Sequence, residues 1–357
     1  MSDLPDLLDL HLRRAESLDP EERKLWKPLN FPYAENPGQE GKPYIVSGYS
    51  GGFLEWDYLG GSAISFNKAR EAAKVNKLLE GFDYIPTAIT GKHGMISGLG
   101  CSDQGIEKAY ELAHECDPHA DLGNETMLNR ECTVEAAKLI GLDIDNKWGQ
   151  KEKTVFTEGI GAPSYEKGAL DILKEKQKKK MTIFRTGPHT NFPYDVKYAD
   201  GMFLLQEKPD YSKPIERKGE WVTKRKGNEE ILDGMFYLLE TARITPSNCV
   251  NVGKAKTEDG RLREMRTLGI GSSPKRSRSM KIALENYKQF NWKKKNVIAA
   301  SDGFFPAKDN IEYAGDYEID YIITPGGSKK DEDVIKEAND QGIAMYFLDS
   351  SIRFFSH

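Results

Sequence analysis

Cysteine is scarce in this chain, and its scarcity excludes two kinds of scaffold. Only four cysteines occur among 357 residues, and they stand far apart, at Cys101, Cys116, Cys132 and Cys249. No two are spaced as CxxC, which argues against a zinc cage, and four scattered thiols do not make the dense framework of a small secreted protein. We therefore predict reduced thiols, which are typical of a cytoplasmic protein.

Long apolar runs and an excess of basic residues are missing as well. No apolar segment approaches the roughly 20 residues that a membrane-spanning helix needs. The N-terminal segment 1–26 is acidic and amphipathic, without the uninterrupted apolar centre of a signal peptide. The formal net charge of −5 gives no basic footprint of a nucleic-acid-binding domain. We therefore expect neither a membrane nor a nucleic acid as a partner.

Helix and strand patterns alternate along the chain. Five segments carry helix start or stop signals, namely 67–79, 102–115, 133–140, 164–179 and 228–243. Apolar strand candidates lie between or beyond them, at 84–89, 181–184, 201–205, 249–252, 297–300, 321–324 and 343–348. This alternation predicts an α/β fold, with a sheet covered by helices.

The length suggests about two domains. The polar, Lys-rich stretch 207–228 is the best candidate for a linker or insertion between them. We predict a first α/β subdomain over 28–206 and a second over 229–357, preceded by an amphipathic helical extension over 1–27. No repeat of fixed period is visible.

Polar and aromatic residues follow the last three apolar runs. The first run leads into Ser301, Asp302 and Gly303 with two phenylalanines, the second into PGGS (325–328), and the third into Arg353. Ligands of α/β proteins usually bind where such strands end. The pattern favours a site for a flat, polar, anionic small molecule, and ordinary loop punctuation is the alternative at this point.

A second candidate site is the pair Lys92–His93, between glycines just after a strand candidate. A histidine near its neutral pKa can take a proton from a reacting amine, and a neighbouring lysine can stabilise developing negative charge. A Lys-His pair alone is most often incidental, so the motifs around it decide whether it indicates a catalytic site.

Those motifs resemble the AICAR (aminoimidazole carboxamide ribonucleotide) transformylase part of the bifunctional purine-biosynthesis enzymes. The resemblance runs from about Pro28 to His357. The family's RYGxNPHQ is PYAENPGQ here (32–39), LSYNN is ISFNK (64–68), and FKHxxPxG is GKHGMISG (91–98). IIAPxYEEEALxIL is IGAPSYEKGALDIL (160–173), and KSNA is PSNC (246–249). The closing run ASDAFFPFxDN, PGGS and RxFxH is the nearest match, as ASDGFFPAKDN (300–310), PGGS (325–328) and RFFSH (353–357).

The resemblance implies a fold and an activity. It implies two tandem cytidine-deaminase-like α/β/α subdomains and a homodimer with its sites at the interface. The HxE and PCxxC motifs of a zinc deaminase are absent, so no deaminase zinc is expected. The implied reaction moves a formyl group from 10-formyltetrahydrofolate, as co-substrate, to the 5-amino group of AICAR. No tightly bound cofactor is expected, although the family can hold a potassium ion, largely through backbone carbonyls. The family's cyclohydrolase domain is not expected here, which implies a stand-alone transformylase.

The resemblance also assigns roles to residues. His93 matches the residue that accepts the proton in the family. Lys92 matches the residue that orients this histidine or supports the oxyanion. Asn248 matches the residue that hydrogen-bonds the formyl oxygen or helps to hold the amine. Seven positions match nucleotide contacts: Tyr33, Asn67, Gly123, Glu158, Arg276, Arg353 and Phe355. Four match the folate site: Phe304, Pro306, Asp309 and Asn310. Glu158 replaces an Asp, and Arg276 is preferred to Arg278 because it keeps the spacing to Ala283.

Structural alternatives exist for several of these positions. Asn67 could be a helix N-cap, Asp309 a helix cap, Gly123 a simple turn residue, and the phenylalanines at 304 and 305 core residues. His114 and His119 belong to no motif and are interpreted as surface residues.

Departures from the family pattern define two functional alternatives. Pro32 stands where the family has a phosphate-binding Arg, Gly38 replaces a His, Ala307 a Phe and Ser356 a His. These changes support the hypothesis that the formyl donor or the nucleotide differs from that of the family. The other alternative is a non-catalytic nucleotide-binding paralogue, against which the retention of Lys92 and His93 argues.

Overall fold

The computed structural model describes residues 12–14, 31, 33–46, 48–117, 120, 122–141, 156–176, 180–289 and 295–356. Its first nine strands are β1 (Leu12–Arg14), β2 (Tyr44–Val46), β3 (Asp57–Gly60), β4 (Thr87–Lys92), β5 (Met95–Ser102), β6 (Asn124–Leu128), β7 (Thr157–Ala162), β8 (Thr182–Arg185) and β9 (Tyr194–Ala199). The others are β10 (Met202–Glu207), β11 (Gly219–Trp221), β12 (Cys249–Glu258), β13 (Arg261–Ser272), β14 (Ile298–Ser301), β15 (Tyr321–Pro325) and β16 (Ala344–Leu348).

The helices of the described residues alternate with these strands. They are α1 (Phe66–Lys77), α2 (Ile106–His114), α3 (Val134–Leu139), α4 (Ala169–Lys176), α5 (Glu229–Ile244), α6 (Arg276–Gln289), α7 (Asp309–Asp316) and α8 (Asp331–Asp340). The five helices predicted from the sequence correspond to α1–α5, with ends that differ by up to five residues where both ends are described. The α/β class is therefore confirmed.

One twelve-stranded mixed sheet organises the described part of the chain. Its order is β11-β16-β15-β14-β12-β13-β5-β4-β6-β7-β8-β3. One apolar layer lies between the sheet and helices α1 and α5, and includes Val75, Leu79 and Leu238. On the opposite face, one layer lies under α2–α4 and another under α6–α8. The result is a three-layered α/β/α arrangement.

The sheet consists of two units with the same topology. In the first, β4 is antiparallel to β5 and β6, strands β6, β7 and β8 are parallel, and β3 lies antiparallel on β8. In the second, β12, β13, β14, β15, β16 and β11 repeat these pairings in the same order. The units join where β5 pairs antiparallel with β13. This repeat is one of topology, so a search for a fixed sequence period does not detect it.

Two predicted segments differ in the structure. Residues 207–228, interpreted as a linker, contain β11, whose backbone pairs with β16, so this stretch supplies the edge of the second unit. Its polar composition suits a short edge strand that faces water. Within the predicted N-terminal helix, Leu12–Arg14 instead forms β1, because it pairs antiparallel with Tyr44–Val46. The rest of 1–27 lies outside the described residues, as do Pro32 and His119. The interpretation of His114 as a surface residue is wrong, because its side chain is fully buried at the end of α2.

Glycines at the junction of the units allow helices to press against the sheet. A Cβ atom at Gly98 or Gly100 of β5 would overlap carbonyl oxygens of α2. In the same way, a Cβ atom at Gly269 or Gly271 of β13 would overlap carbonyl oxygens of α6. Both central strands therefore need glycine because a helix backbone lies directly on them. No helix among the described residues is long and apolar enough to cross a membrane.

We predict that Gly271→Ala destabilises the protein by about 1–3 kcal/mol, because the new methyl group would meet the carbonyl oxygen of Ser279. The matched control is Gly187→Ala, whose Cβ atom would lie 3.4 Å from the nearest heavy atom, the carbonyl oxygen of Glu55. Urea unfolding of both variants measures the difference. Equal midpoints would contradict the close approach of α6 to β13.

Candidate functional site

The Lys92–His93 pair lies on a two-residue hairpin turn. Lys92 ends β4 and pairs with Met95 at the start of β5, so His93 and Gly94 form the turn. Both have positive φ, 55° and 72°, as a type I′ turn requires. Asn or Asp is usual at the first position, and a histidine there holds a less favourable backbone conformation. The turn presents the imidazole to the outside, with 71% of its side chain exposed.

Glu71 of α1 contacts this histidine twice. Its Oε2 accepts a hydrogen bond from the backbone N–H of His93 at 2.9 Å. Its Oε1 lies 3.4 Å from Nδ1 of the same residue. Only 11% of the Glu71 side chain is exposed. Glu71 carries no sequence signal of its own, because its position depends on how α1 packs beside the turn.

Lys92 and Gly123 lie together, as their shared assignment to one site predicts. The ammonium group of Lys92 donates to the carbonyl oxygen of Leu122 at 2.7 Å. A Cβ atom at Gly123 would lie 3.4 Å from the same nitrogen, and the φ of Gly123 is 78°. The positive φ shows that Gly123 is a turn residue, and its position beside Lys92 shows that it also borders the candidate site.

The start of α1 joins Asn67 to the segment that contains Tyr33. The N-cap of α1 is Ser65, whose hydroxyl accepts from the backbone N–H of Lys68, so Asn67 is not the cap. Instead, the side-chain amide of Asn67 donates to the carbonyl oxygen of Glu35 at 3.2 Å. Its Oδ1 is buried and has no hydrogen-bond partner among the described residues. This unpartnered acceptor can receive a donor from a ligand.

A buried carboxyl group lies close to α1 and to the end of β4. Glu125 of β6 pairs with Gly91 of β4 and is 2% exposed. Burial raises the pKa of its carboxyl group well above the usual value, the nearby charges of Glu158 and Glu71 raise it further, and Lys68 lowers it. A Cβ atom at Gly159 would overlap the Glu125 carboxyl group, so glycine leaves room for it. Glu125 is therefore favoured in its neutral form.

Glu158, a predicted nucleotide contact, belongs to the same cluster. Its side chain is 40% exposed, and Oε1 lies 3.5 Å from the ammonium group of Lys68. Tyr33, Asn67, Gly123, Glu158, Lys92 and His93 thus all lie around α1, the β4–β5 turn and the start of β6 and β7. We call this group the turn cluster.

A second group of predicted residues surrounds Asp302, at the end of β14. Asp302 is fully buried, and its Oδ1 accepts from the guanidinium of Arg276 at 2.7 Å. Arg276 also donates to the hydroxyl of Ser301 and to the carbonyl oxygen of Phe304. Its side chain is 9% exposed. Arg276, predicted as a nucleotide contact, therefore supports the 301–304 loop from beneath.

Asp302 also joins two other segments to this loop. Its carboxylate accepts from the backbone N–H of Cys249, at 3.1 Å, and from the hydroxyl of Ser247. Its carbonyl oxygen accepts from the backbone N–H of Phe354 at 3.1 Å. Between these contacts lies Asn248, whose side-chain amide donates to the carbonyl oxygen of Pro274 at 3.0 Å. Asp302 thus fixes the Asn248 loop and the C-terminal tail against each other.

The predicted aromatic and basic residues meet above Asp302. The guanidinium carbon of Arg353 lies 5.1 Å from the ring centroid of Phe304, within range of a cation–π contact. A Cβ atom at Gly327 would lie 3.3 Å from an Arg353 nitrogen. Phe304 is half-buried, whereas Phe305 is 2% exposed and belongs to the core. The phenylalanine at 305 therefore has the structural role, and Phe304 lines the surface.

The remaining folate-site candidates lie at the start of α7. Pro306 is exposed, and Asp309 is the first residue of the helix. One oxygen of Asp309 accepts from the backbone N–H and side-chain amide of Asn310, at 3.0 and 3.1 Å. Asn310 is fully buried, and its Oδ1 has no hydrogen-bond partner among the described residues. We call residues 247–248, 302–310 and 353–355, with Arg276, the tail cluster.

The two clusters lie at the same end of the sheet but apart within one chain. The β4–β5 turn adjoins the start of β5, and the register of β5 with β13 brings the end of β13 to that end of the sheet. Ser272, at this end of β13, pairs with Cys249, which follows Asn248. Three inter-strand steps separate β4 from β12, which corresponds to roughly 14 Å. Across the described residues, no three His, Cys, Asp or Glu side chains could together hold a metal ion.

Comparison with known proteins identifies the family. The family model described as AICARFT/IMPCHase bienzyme matches residues 11–286. The chain belongs to the AICARFT/IMPCHase bienzyme family.

Several curated members of this family resemble the chain over most of its length. The bifunctional purine biosynthesis protein PurH of Petrotoga mobilis is 33% identical over 332 residues, which cover 93% of this chain and 59% of that protein. PurH of Streptococcus suis is 31% identical over 362 residues, covering 98% of this chain and 64% of that protein. PurH of Aquifex aeolicus is 30% identical, covering 91% and 58%. The chain thus spans about 60% of the length of these relatives.

We predict that Arg276→Ala destabilises the protein by about 3–5 kcal/mol, because it leaves the fully buried Asp302 carboxylate without its cation. The control is Arg278→Ala, an exposed arginine two residues along the same helix, which we expect to change stability by less than about 0.5 kcal/mol. Thermal and urea unfolding compare the two variants. A small effect of both would mean that Asp302 does not depend on Arg276.

Proposed function

We propose that this chain is a phosphoribosylaminoimidazolecarboxamide formyltransferase, which transfers a formyl group from 10-formyltetrahydrofolate to the 5-amino group of AICAR. The observation that carries the proposal is the turn cluster. It presents an exposed histidine, next to a lysine, on a strained turn held by a carboxylate from α1. Membership of the AICARFT/IMPCHase family and the names of the PurH relatives support the same reaction.

The chemistry explains why a base and a cation are needed together. The 5-amino group of AICAR is conjugated with the imidazole ring and its carboxamide, so it is a poor nucleophile. As its nitrogen bonds to the formyl carbon, His93 accepts a proton from that nitrogen. The ammonium group of Lys92 stabilises the oxyanion that forms. When the bond from the formyl carbon to N10 of the folate breaks, His93 returns the proton to N10, so protons and charges balance.

The tail cluster supplies the remaining contacts in this proposal. Asn248 hydrogen-bonds the formyl oxygen or the amine, and Phe304, Pro306, Asp309 and Asn310 bind the pterin ring. A carboxylate such as Asp309 can accept paired hydrogen bonds from a pterin amino group and ring N–H. Arg353 and Phe355, both exposed, contact the nucleotide together with Tyr33, Asn67, Gly123 and Glu158. Arg276 contributes by holding the loop on which Phe304 stands.

We further propose that two copies of the chain complete each site. Within one chain, roughly 14 Å of sheet separates the Lys92–His93 turn from Asn248. A homodimer in which the tail cluster of one copy faces the turn cluster of the other would bring Asn248 to the reacting groups. An exposed apolar hairpin supports such an association.

That hairpin consists of β9 and β10, which pair only with each other among the described strands. On one face it carries Val196, Tyr198, Phe203 and Leu205, and Tyr198 and Phe203 are 69% and 54% exposed. An isolated two-stranded hairpin is marginally stable in water, and exposed aromatic residues are enriched at protein–protein interfaces. The hairpin is therefore the surface on which we expect the second copy to pack.

The repeated topology supports a further structural proposal. Each unit combines an antiparallel hairpin with three parallel strands under alternating helices, and we propose that both have the cytidine-deaminase-like arrangement of the family. The four cysteines are buried and none is in a disulfide, and we propose a cytoplasmic location in keeping with reduced thiols.

The first experiment measures formyl transfer from 10-formyltetrahydrofolate to AICAR by absorbance. We predict turnover by the wild-type chain and a loss of roughly a hundredfold or more in kcat for His93→Ala, as expected for a general base. The matched control is Asp259→Ala, which removes a side chain from the equivalent positive-φ position in the β12–β13 turn. We expect that control to keep full activity.

Two outcomes would point to the alternatives. Absence of turnover with a folded protein that still binds AICAR in calorimetry would favour a different formyl donor or a non-catalytic nucleotide-binding protein. Absence of folate-dependent turnover, together with no inhibition by a folate analogue, would favour the different donor or a related nucleotide.

A second experiment tests the dimer. We predict that Phe203→Lys, which puts a charge on the apolar face of the hairpin, shifts the protein from dimer to monomer and lowers formyl transfer at least tenfold. Sedimentation velocity measures the assembly state. The control, Tyr44→Lys, replaces an aromatic residue of equal exposure outside the hairpin and should remain dimeric. A fully active wild-type monomer would refute the shared site.

A further inference from the structure

We propose that Glu71 is a positioning residue that fixes the tautomer and orientation of the His93 imidazole. This inference rests on the proposed formyl transfer, since it concerns the histidine that acts there as the base. It assigns a role to a residue that belongs to none of the sequence motifs.

The carboxylate of Glu71 contacts His93 at two points, the backbone and the ring. Oε2 of Glu71 binds the backbone N–H of His93, and Oε1 faces Nδ1 of its ring, at 2.9 and 3.4 Å. The second distance is at the long end of the hydrogen-bond range, so Oε1 faces Nδ1 without forming a short bond. Both oxygens of Glu71 are thus directed at the same turn residue.

An ionised carboxylate only accepts hydrogen bonds, and this decides the tautomer. If Oε1 faces Nδ1, the proton of the neutral ring must lie on Nδ1. Nε2 then carries the free lone pair, on a side chain that is 71% exposed. This is the arrangement that a histidine needs to accept a proton from an amine that approaches from outside.

Among the described residues, Glu71 is the side chain that hydrogen-bonds the His93 ring. The ring is 71% exposed, and the His93 backbone has a φ of 55°, which a two-residue turn without a carboxylate partner would hold less firmly. Glu71 lies in α1, which is anchored in the core by Ala72 and Val75. A carboxylate on a packed helix can therefore hold the ring more rigidly than the turn alone.

Charged groups around the turn favour a carboxylate that accepts hydrogen bonds there. Lys92 precedes His93, and the side chain of Lys74 reaches Gly94, so two cations flank the turn. Behind Glu71, burial raises the pKa of Glu125, which favours its neutral form and avoids a second full negative charge close by.

The test is nitrogen NMR of protein labelled in its six histidines, with the His93 signals assigned from the His93→Ala spectrum. In the wild-type protein, above the pH at which the ring titrates, we expect a neutral His93 that carries its proton on Nδ1. In Glu71→Gln, whose amide can either donate or accept, we expect a mixture with a large fraction protonated on Nε2. Glu111→Gln, a carboxylate on α2 that pairs with Lys108, is the control and should leave the spectrum unchanged.

Kinetics give the second readout. For Glu71→Gln we expect kcat to fall by roughly 10- to 100-fold, while the dissociation constant for AICAR changes less than about twofold. A residue that only stabilised the fold would not separate these two quantities. A wild-type His93 protonated on Nε2, or a tautomer that Glu71→Gln leaves unaltered, would overturn the proposal.

The two readouts also separate this inference from the reaction itself. A wild-type ring protonated on Nε2 overturns the role of Glu71 even if the variant folds poorly. An Nδ1-protonated ring that changes in Glu71→Gln supports the positioning role even if the wild-type chain does not formylate AICAR, in which case only the proposed reaction fails.

Discussion

The antiparallel pairing of β5 with β13 is the contact on which the rest of the structure depends. It joins two units of the same topology into one sheet and fixes how far apart their functional groups lie. The buried hydroxyl of Thr267 extends the pairing, because it accepts from the backbone N–H of Leu99 and donates to its carbonyl oxygen. Glycines on both strands let α2 and α6 lie directly on this junction. A change in the pairing would move the turn cluster relative to the tail cluster.

The two clusters use buried charge in different ways. In the tail cluster, the Asp302 carboxylate is matched by Arg276 and by two neutral donors from the segment 247–249, so it ties together loops that are distant in sequence. Breaking such a pair costs far more than the pair contributes over an apolar replacement. In the turn cluster, the charge of Glu71 is directed at a single exposed ring. The contacts of Asp302 make a binding surface rigid, whereas the contacts of Glu71 orient a reactive side chain.

The sequence allowed parts of this structure to be predicted, and the reasons are physical. The runs that became β14, β15 and β16 are buried on both faces, so their apolar character is continuous and easily recognised. The central strands β5 and β13 were missed because glycines weaken a strand pattern, although helix contact requires those glycines. The Lys-His turn and the aromatic tail were found because their residues are adjacent in sequence. Glu71 and the donors to Asp302 are brought there by packing, which no local pattern encodes.

The two edge strands of the large sheet limit how this molecule can associate with other molecules. Both outermost strands are short antiparallel additions, β3 with four residues and β11 with three, placed beside the parallel strands β8 and β16. Short edge strands offer few free backbone groups to a foreign strand, which protects a wide sheet from edge-to-edge aggregation. Growth of the sheet by further strands is therefore disfavoured at both ends. Association of this molecule with another copy is therefore expected to rely on side-chain surfaces, such as the apolar face of the β9–β10 hairpin, whose sequence can specify one partner and reject others.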